Sequence, residues 1–269
     1  MDPLASFKEE QKLRWAHFAP LGVFSAVPAA RLVKFAGVKA GQRVLDVACG
    51  TGVVAVTAAR SGAQVSGIDL TPHLLEFARE NSRIAEVEVD WRQGDVEALP
   101  YQDAGFDVVL SQYGHMFAPR PEVAVAEMLR VLKPGGILAF STWPPEFFVG
   151  RGFLLAGAYL PPLPAGIAPP PLWGVPEIIR QRLGSAVSRI EFDVGRMTIP
   201  ALSPQHFRAM IERTAGPIVR LVETLSASDP EKLAEFRRQY EALAAEYFEE
   251  NQMRQDYLMT RAVKIKESP

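Results

Sequence analysis

Cysteine is almost absent: Cys49 is the single one in 269 residues. An internal disulfide is therefore excluded, and with it the stapled frameworks of small secreted domains. The chain also lacks a charge surplus, with 29 basic and 31 acidic residues, a net charge of −2 and a pI near 6.1. Without a long basic run there is no electrostatic footprint for nucleic acid, so DNA and RNA are disfavoured as partners. The first 30 residues open on mixed charges and have no continuous apolar core, so no export signal is read there and the cytoplasm is the expected compartment. From Gly152 to Pro176 it is charge itself that is missing. A stretch of that length could cross a membrane. Prolines at 161, 162, 164, 169, 170, 171 and 176 deny it a continuous helix, so no membrane partner is expected. No metal-binding constellation stands out, and no metal is expected.

What is present is a large apolar fraction, 48% of the residues, enough for one sizeable core or one domain with a cap. The organising stretch is Arg43 to Thr71, RVLDVACGTGVVAVTAARSGAQVSGIDLT. Val44, Leu45, Val47 and Ala48 form a nearly continuous apolar run, as in a strand buried on both faces of a parallel sheet, and Asp46 interrupts it. Gly50 and Gly52 allow a sharp turn and a close ligand approach, and the helix beginning near Thr51 directs free N–H groups into that space. The second strand, Gln64 to Ile68, ends in Asp69, a carboxylate placed to accept both hydroxyls of a ribose. The unit reads as a nucleoside-binding βαβ. Gly50 to Ala55 also satisfies the G-x-G-x-x-G/A dinucleotide pattern. Asp46, four residues before Gly50, would repel a pyrophosphate but suits a ligand carrying an ammonium and a sulfonium.

Val44-Leu45-Asp46-Val47-Ala48-Cys49-Gly50-Thr51-Gly52 resembles the first motif of the class I S-adenosylmethionine-dependent methyltransferases, in the branch of ubiquinone/menaquinone-biosynthesis-type small-molecule enzymes. Three segments fit the same pattern in order: Gly67-Ile68-Asp69, then Gly94 to Tyr101, then Leu129-Arg130-Val131-Leu132-Lys133-Pro134-Gly135-Gly136. The resemblance implies an α/β fold, a doubly wound and mostly parallel seven-stranded sheet of the Rossmann-like methyltransferase type, with an α-helical cap insertion. It implies S-adenosylmethionine as cofactor, held by Asp46, Ala48, Cys49, Gly50, Gly52, Asp69, Leu70, Gly94, Asp95, Val96, Ser111 and Gln112. In that reading Asp95 takes the adenine amine, the Val96 amide meets the ring, and Ser111 and Gln112 flank the methionine portion. Cys49 itself reads as a small packing residue rather than a nucleophile.

In chain order, residues 4–18 predict an amphipathic helix with Leu4, Phe7, Trp15 and Phe18 on one face, and a second helix runs from Pro28 to Ala36. The resemblance implies that residues 1–37 form a helical lid, 38–143 the cofactor-binding core and 144–188 with 203–250 the cap that walls the acceptor pocket, with 256–266 read as a closing strand, all in one domain over 1–269. The lid would place Trp15, His17 and Phe18 near the site; an equally open reading makes Trp15 and Phe18 a plain buried stripe. Strand four delivers Tyr113, His115 and Met116 to the carboxyl edge of the sheet, where ligands bind in doubly wound folds. His115 and His17 are the candidate bases and Tyr113 an orienting donor; a structural role for a lone histidine stands beside this. Phe153 and Trp173, in the charge-free stretch, are expected to wall an apolar acceptor site with Met116.

The expected activity is methyl transfer to a small, largely apolar metabolite at oxygen, carbon or nitrogen by direct in-line displacement, with a homodimer left open. An NAD(P)-dependent oxidoreductase and a non-catalytic S-adenosylmethionine-binding module are the alternatives. Asp46→Ala separates the first two: it should weaken S-adenosylmethionine binding at least ~10-fold, whereas in a pyrophosphate site it would relieve repulsion. Calorimetric titration of both proteins with S-adenosylmethionine and with NAD reads the difference.

Overall fold

The protein is described by a computed structural model covering residues 3–164 and 167–266. Residues 1–2, 165–166 and 267–269, which fall in the expected lid, cap and tail, lie outside the described residues. The chain opens with α1 (Pro3–Trp15), a 3₁₀ segment (Ala16–Ser25) and α2 (Ala26–Ala36). The predicted helix over 4–18 ends early, at Trp15, because Pro20 inside the following segment cannot donate to an α-helical ladder. By length and composition the helical run Leu4–Ala36 is apolar enough to cross a membrane, a signal the first 30 residues were not read to carry. Part of it is buried against the rest of the chain, with α1 on the cap and α2 on the sheet.

Alternating elements follow: β1 (Arg43–Val47), α3 (Val53–Arg60), β2 (Gln64–Asp69), α4 (Pro72–Ile84), β3 (Val89–Gln93), β4 (Phe106–Gln112), α5 (Pro121–Val131) and β5 (Leu132–Thr142). The cap begins with α6 (Phe148–Tyr159) and α7 (Pro176–Leu183), is interrupted by β6 (Val187–Pro200), and resumes with α8 (Pro204–Thr214), α9 (Gly216–Ser228) and α10 (Pro230–Ala245). A two-residue β7 (Phe248–Glu249) and β8 (Gln252–Lys264) end the fold.

Strand order is β3-β2-β1-β4-β5-β8-β6, with β7 added on β8. The pairs among β1 to β5 are parallel, and β8 runs against β5, β6 and β7. The short β7 makes eight strands where seven are expected. The order reverses between β1 and β4, so the helices leaving those strands pass to opposite faces and open a crevice at their carboxyl ends.

Alternation along the strands sorts the core. Val44, Val108, Leu110 and Ala139 face α2 and α3. Leu45, Val109, Leu138 and Phe140 face the other way, into a cluster continuous with Phe148, Phe207, Phe236 and Tyr240 of the cap. Cap and sheet therefore share one core. The closing strand starts at Gln252, earlier than the expected 256, because β8 pairs β6 along its length from Pro200↔Gln252 to Val187↔Lys264. Gln255 occupies an inward position there, and a polar side chain in that register hides the alternation from a reading of the sequence.

Phe140 is fully buried on central strand β5, with ring contacts at 4.6 Å to His115 and 5.5 Å to Trp173. Phe140→Ala should cost about 3–5 kcal/mol in urea denaturation.

Candidate active site

The crevice at the carboxyl ends of the strands continues as a cavity under the N-terminal segment and the cap. Its β1 wall is the turn that follows Val47. Ala48, Gly50 and Gly52 all have positive φ, +51°, +53° and +79°, so the chain doubles back tightly. A Cβ on Gly50 would meet nothing within 4 Å, so the space it faces is open for a ligand. Gly52 does not line the cavity. A Cβ there would lie 2.5 Å from the Trp91 ring and 3.0 Å from Ala78, and its role is close packing of the turn on α4 and β3.

Asp46 is fully buried and lines the cavity. One carboxylate oxygen accepts the Ala55 N–H at 3.0 Å; the other, Oδ1, has no hydrogen-bond partner among the described residues. Burial pushes its pKa well above the usual range against the Ala55 N–H, and the Asp69 charge adds to the rise. Asp69 accepts Gly50 N–H and Thr71 N–H, each at 2.8 Å. Burial raises its pKa too, opposed by those N–H donors. The Asp69 carboxylate thus buttresses the glycine turn and retains lone pairs for vicinal hydroxyls. Cys49, its thiol pKa raised by burial and by both carboxylates, is not an activated nucleophile.

Beyond β3, Asp95 accepts the Glu97 N–H at 2.9 Å and pairs with Lys8 of α1. Lys8 also meets Glu97 at 2.6 Å, and Glu97, its side chain fully buried, takes the Arg120 guanidinium at 2.8 Å. This knot fastens the N-terminal segment over the carboxylate rim. Two buried acids, one with an orphan oxygen, beside an open glycine turn fit a nucleoside that carries an ammonium and a positive sulfur. Asp46, Asp69 and Asp95 would hold its ammonium, ribose and adenine ends.

Ala48, Cys49, Gly50, Asp69, Leu70, Gly94, Asp95, Val96 and Gln112 line the cavity with Asp46. Gln112 donates to the Ser25 carbonyl at 2.9 Å and keeps a buried, unpartnered Oε1. Ser111 is displaced from the assignment made for it. Its hydroxyl is buried, donates to the Val47 carbonyl at 2.7 Å and accepts the His115 N–H at 3.3 Å, so it ties β4 to β1 instead of facing the ligand.

The chain turns at Tyr113, whose φ of +63° is strained for a side chain of that size. A Cβ at Gly114 would sit 2.5 Å from the Ala48 carbonyl, so the strand end can approach the β1 turn only without one. Tyr113 faces the cavity, stacked on Trp143 at 4.0 Å, with its hydroxyl 3.9 Å from Met197 Sδ. Burial raises its pKa well above the ordinary tyrosine value, so it is a neutral donor and not a base. The same turn sends His115 and Met116 inward into a 3₁₀ turn. His115 is corrected as a base: it is fully buried between Phe140 and Trp173, each ring at 4.6 Å, and it is not a cavity residue. Burial, reinforced by Arg182, lowers its pKa to about 3. His17 is exposed and away from the cavity, because the 3₁₀ segment turns Phe18 inward and His17 out. Met116 and Trp173, each 1% exposed, belong to the core behind the site.

Trp15, Phe18 and Phe153 do line the cavity. The wall expected from the charge-free stretch is supplied by α6, through Phe148, Val149, Gly152 and Phe153. Its proline-rich part contributes no lining residue among those described. Sequence reasoning missed Lys8, Thr51, Trp143, Tyr240 and Gln255, as well as Phe207, Ile211 and Ile218 of α8 and α9. Only Thr51 carried a signal, its place inside the glycine motif; the cap residues read as helix stripes, which they also are.

Comparison with known proteins agrees with this geometry. A family described as "Methyltransferase domain" matches residues 45–140. An uncharacterized protein of Mycobacterium tuberculosis is 35% identical over 247 residues, covering 91% of this chain and 87% of its own length. Ubiquinone biosynthesis O-methyltransferase of Xanthomonas oryzae is 43% identical over 104 residues, 38% of this chain and 44% of its own. Among solved structures, a candidate methyltransferase of Bacillus halodurans superposes with a TM-score of 0.61 at 23% identity, over 88% of this chain and 99% of the other. Haemonchus contortus phosphoethanolamine N-methyltransferase 2, solved with S-adenosyl-L-methionine, gives 0.53 at 21% identity over 89% and 52%.

If His115 is structural, His115→Leu should leave methyl transfer within about threefold of the parent. Its histidine pKa is lowered on folding, so the parent loses stability as pH falls from about 6.5 towards 3, where the unfolded chain takes up a proton that the fold excludes. The Leu variant should therefore gain on the parent by roughly 1 kcal/mol per pH unit in that window, measured by urea denaturation.

Proposed function

The chain belongs to the class I S-adenosylmethionine-dependent methyltransferases, and we propose that it methylates a small, largely apolar metabolite by direct in-line displacement at an oxygen, carbon or nitrogen atom. One observation carries the acceptor class. Where the cavity runs from β1 towards β4, β5, β8 and β6 and under the cap, no charged side chain lines it among the described residues. The carboxylates and Lys8 stay at the β1, β2 and β3 end.

Bound S-adenosylmethionine supplies a methyl group that is electrophilic because its sulfur is positive. The work left to the chain is to bind, orient and exclude water. Asp46 and Asp69 fix the nucleoside from below, and the Tyr113–Trp143 stack forms a rigid floor on the acceptor side. Trp15 and Phe18 close the cavity from above, Trp15 packing on Phe117 at 4.6 Å. Holding two reactants in line can supply roughly 7–11 kcal/mol of barrier reduction without a covalent intermediate. In this reading residues 1–37 act as the lid, 38–143 as the cofactor core and 144–188 with 203–250 as the acceptor cap, and the enzyme works on soluble substrate in the cytoplasm.

Calorimetry should find S-adenosylmethionine and S-adenosylhomocysteine bound and NAD not bound. Ile211, 8% exposed on α8 in the apolar wall, gives a second test. Ile211→Glu should leave S-adenosylmethionine affinity within about twofold and reduce methyl transfer at least ~100-fold, since it places an unpaired charge against an apolar acceptor. Equal losses of both would count against the division of the cavity.

A further inference from the structure

We propose that Gln255 holds the reacting oxygen of the acceptor, and that the acceptor is an apolar acid, a phenol or an enol, that enters already ionised. This rests on the methyltransferase reading above and names the substrate class within it.

Gln255 is 4% exposed, lines the cavity, and its amide makes no hydrogen bond to any described residue. The amide is not sealed off as a buried atom without a partner, so the little exposure it keeps is towards the cavity, where its N–H and C=O can meet the molecule that fills it. Gln255 pairs across the sheet with Met197. Side chains directly opposed across antiparallel strands share a face, and Met197 is the residue whose sulfur lies 3.9 Å from the Tyr113 hydroxyl. The amide is thereby set beside the Tyr113–Trp143 floor.

Among the described residues, no carboxylate or imidazole lines the acceptor half of the cavity. The elements enclosing this half are the N-terminal 3₁₀ segment, the ends of β4 and β5, α6, β6, α8, α9, α10 and β8. Tyr113 and Tyr240 are the only titratable side chains they present to the cavity among the described residues. Both have pKa values raised by burial and stay neutral. Asp46 belongs to the β1 rim, where one oxygen accepts the Ala55 N–H and the other, without a partner among the described residues, is the one assigned to the cofactor's ammonium.

A neutral amine methylated here would become a buried ammonium with no carboxylate to receive its proton. A carbon acid would find no base to ionise it. An ionised hydroxyl needs neither. Its proton goes to water before entry, an oxygen lone pair forms the new O–C bond, and the pair of the breaking C–S bond goes to sulfur. An anion and a sulfonium become a neutral ether and a neutral thioether. A low-dielectric chamber favours that cancellation of charge, and the Gln255 N–H steadies the anion without transferring a proton.

The test uses 4-nitrophenol, whose anion absorbs in the visible, with the intact protein saturated by S-adenosylmethionine or by S-adenosylhomocysteine. The expected result is an apparent pKa of the bound probe below its free value with the sulfonium and above it with the thioether. Anion affinity should then be at least ~10-fold tighter in the first complex. Gln255→Leu should weaken the bound anion about 10-fold with S-adenosylmethionine affinity unchanged. Gln255→Glu should abolish anion binding while the cofactor still binds. Gln255→Asn, which keeps the amide but shortens its reach, gives the same reading should the Leu variant not fold. Loss of S-adenosylmethionine binding itself would remove the methyltransferase reading. Binding of that cofactor with no binding of the probe, with the probe bound neutral in both complexes, or with Gln255 variants indistinguishable from the parent would overturn this inference alone.

Discussion

The site depends on two buried carboxylates, one held by backbone N–H groups at both oxygens and the other at one only. Asp46 and Asp69 sit at the ends of adjacent strands, paired in register as Asp46↔Gly67 and Val47↔Ile68 just before Asp69. Asp69 accepts the Gly50 N–H of the glycine turn on one oxygen and the Thr71 N–H on the other, but Asp46 keeps one oxygen with no partner among the described residues. In the ligand-free chain this is unfavourable. A carboxylate whose pKa rises on folding makes the fold less stable as pH climbs through that raised value. A cationic ligand reverses the sign, because an opposite charge in a dry site stabilises the ionised form. A cation beside Asp46 would offset the cost of burying its charge.

Topology decides where the rest of the chemistry goes. The reversal of strand order between β1 and β4 opens the crevice, and the nucleoside rim lies on the β1, β2 and β3 side of it. The acceptor half lies on the other side, over β4, β5, β8 and β6, which are the strands between which the cap is inserted. An insertion there covers that half of the cavity and leaves the carboxylate rim to the N-terminal segment. The same arrangement explains why cap and sheet share one hydrophobic cluster: Phe148, Phe207 and Tyr240 pack on each other and reach the cavity from above.

Much of the cofactor half could be read in the chain because each of its parts is local. A strand, a glycine turn and an acid at the end of the next strand lie within Arg43 to Asp69, and the residues named there line the cavity apart from Gly52. The acceptor half is assembled from nine separated elements, and most of its residues are apolar side chains that serve as core and wall at once. Gln255 hid the start of β8 because it breaks the alternation that identifies a strand. His115 misled for a backbone reason. Position beyond a strand's carboxyl end suggests a site, but the positive φ of Tyr113 rotates the chain so that residue 113 faces the ligand and residue 115 the core. Nothing in the side-chain pattern announces that rotation.

The lid follows from the same balance of charge. Lys8 brings one positive charge to Asp95 and Glu97, and Arg120 brings another to Glu97. Two cations and two carboxylates neutralise each other beyond β3, whereas the Asp46 end keeps an unmatched acid. The rim is therefore graded, closed by its own side chains at one end and open to a cation at the other. A nucleoside carrying its positive groups on one side would find complementary charge at the Asp46 end. Pairing Lys8 with Asp95 also folds the N-terminal segment down beyond β3, and Trp15 and Phe18 are carried over the cavity with it.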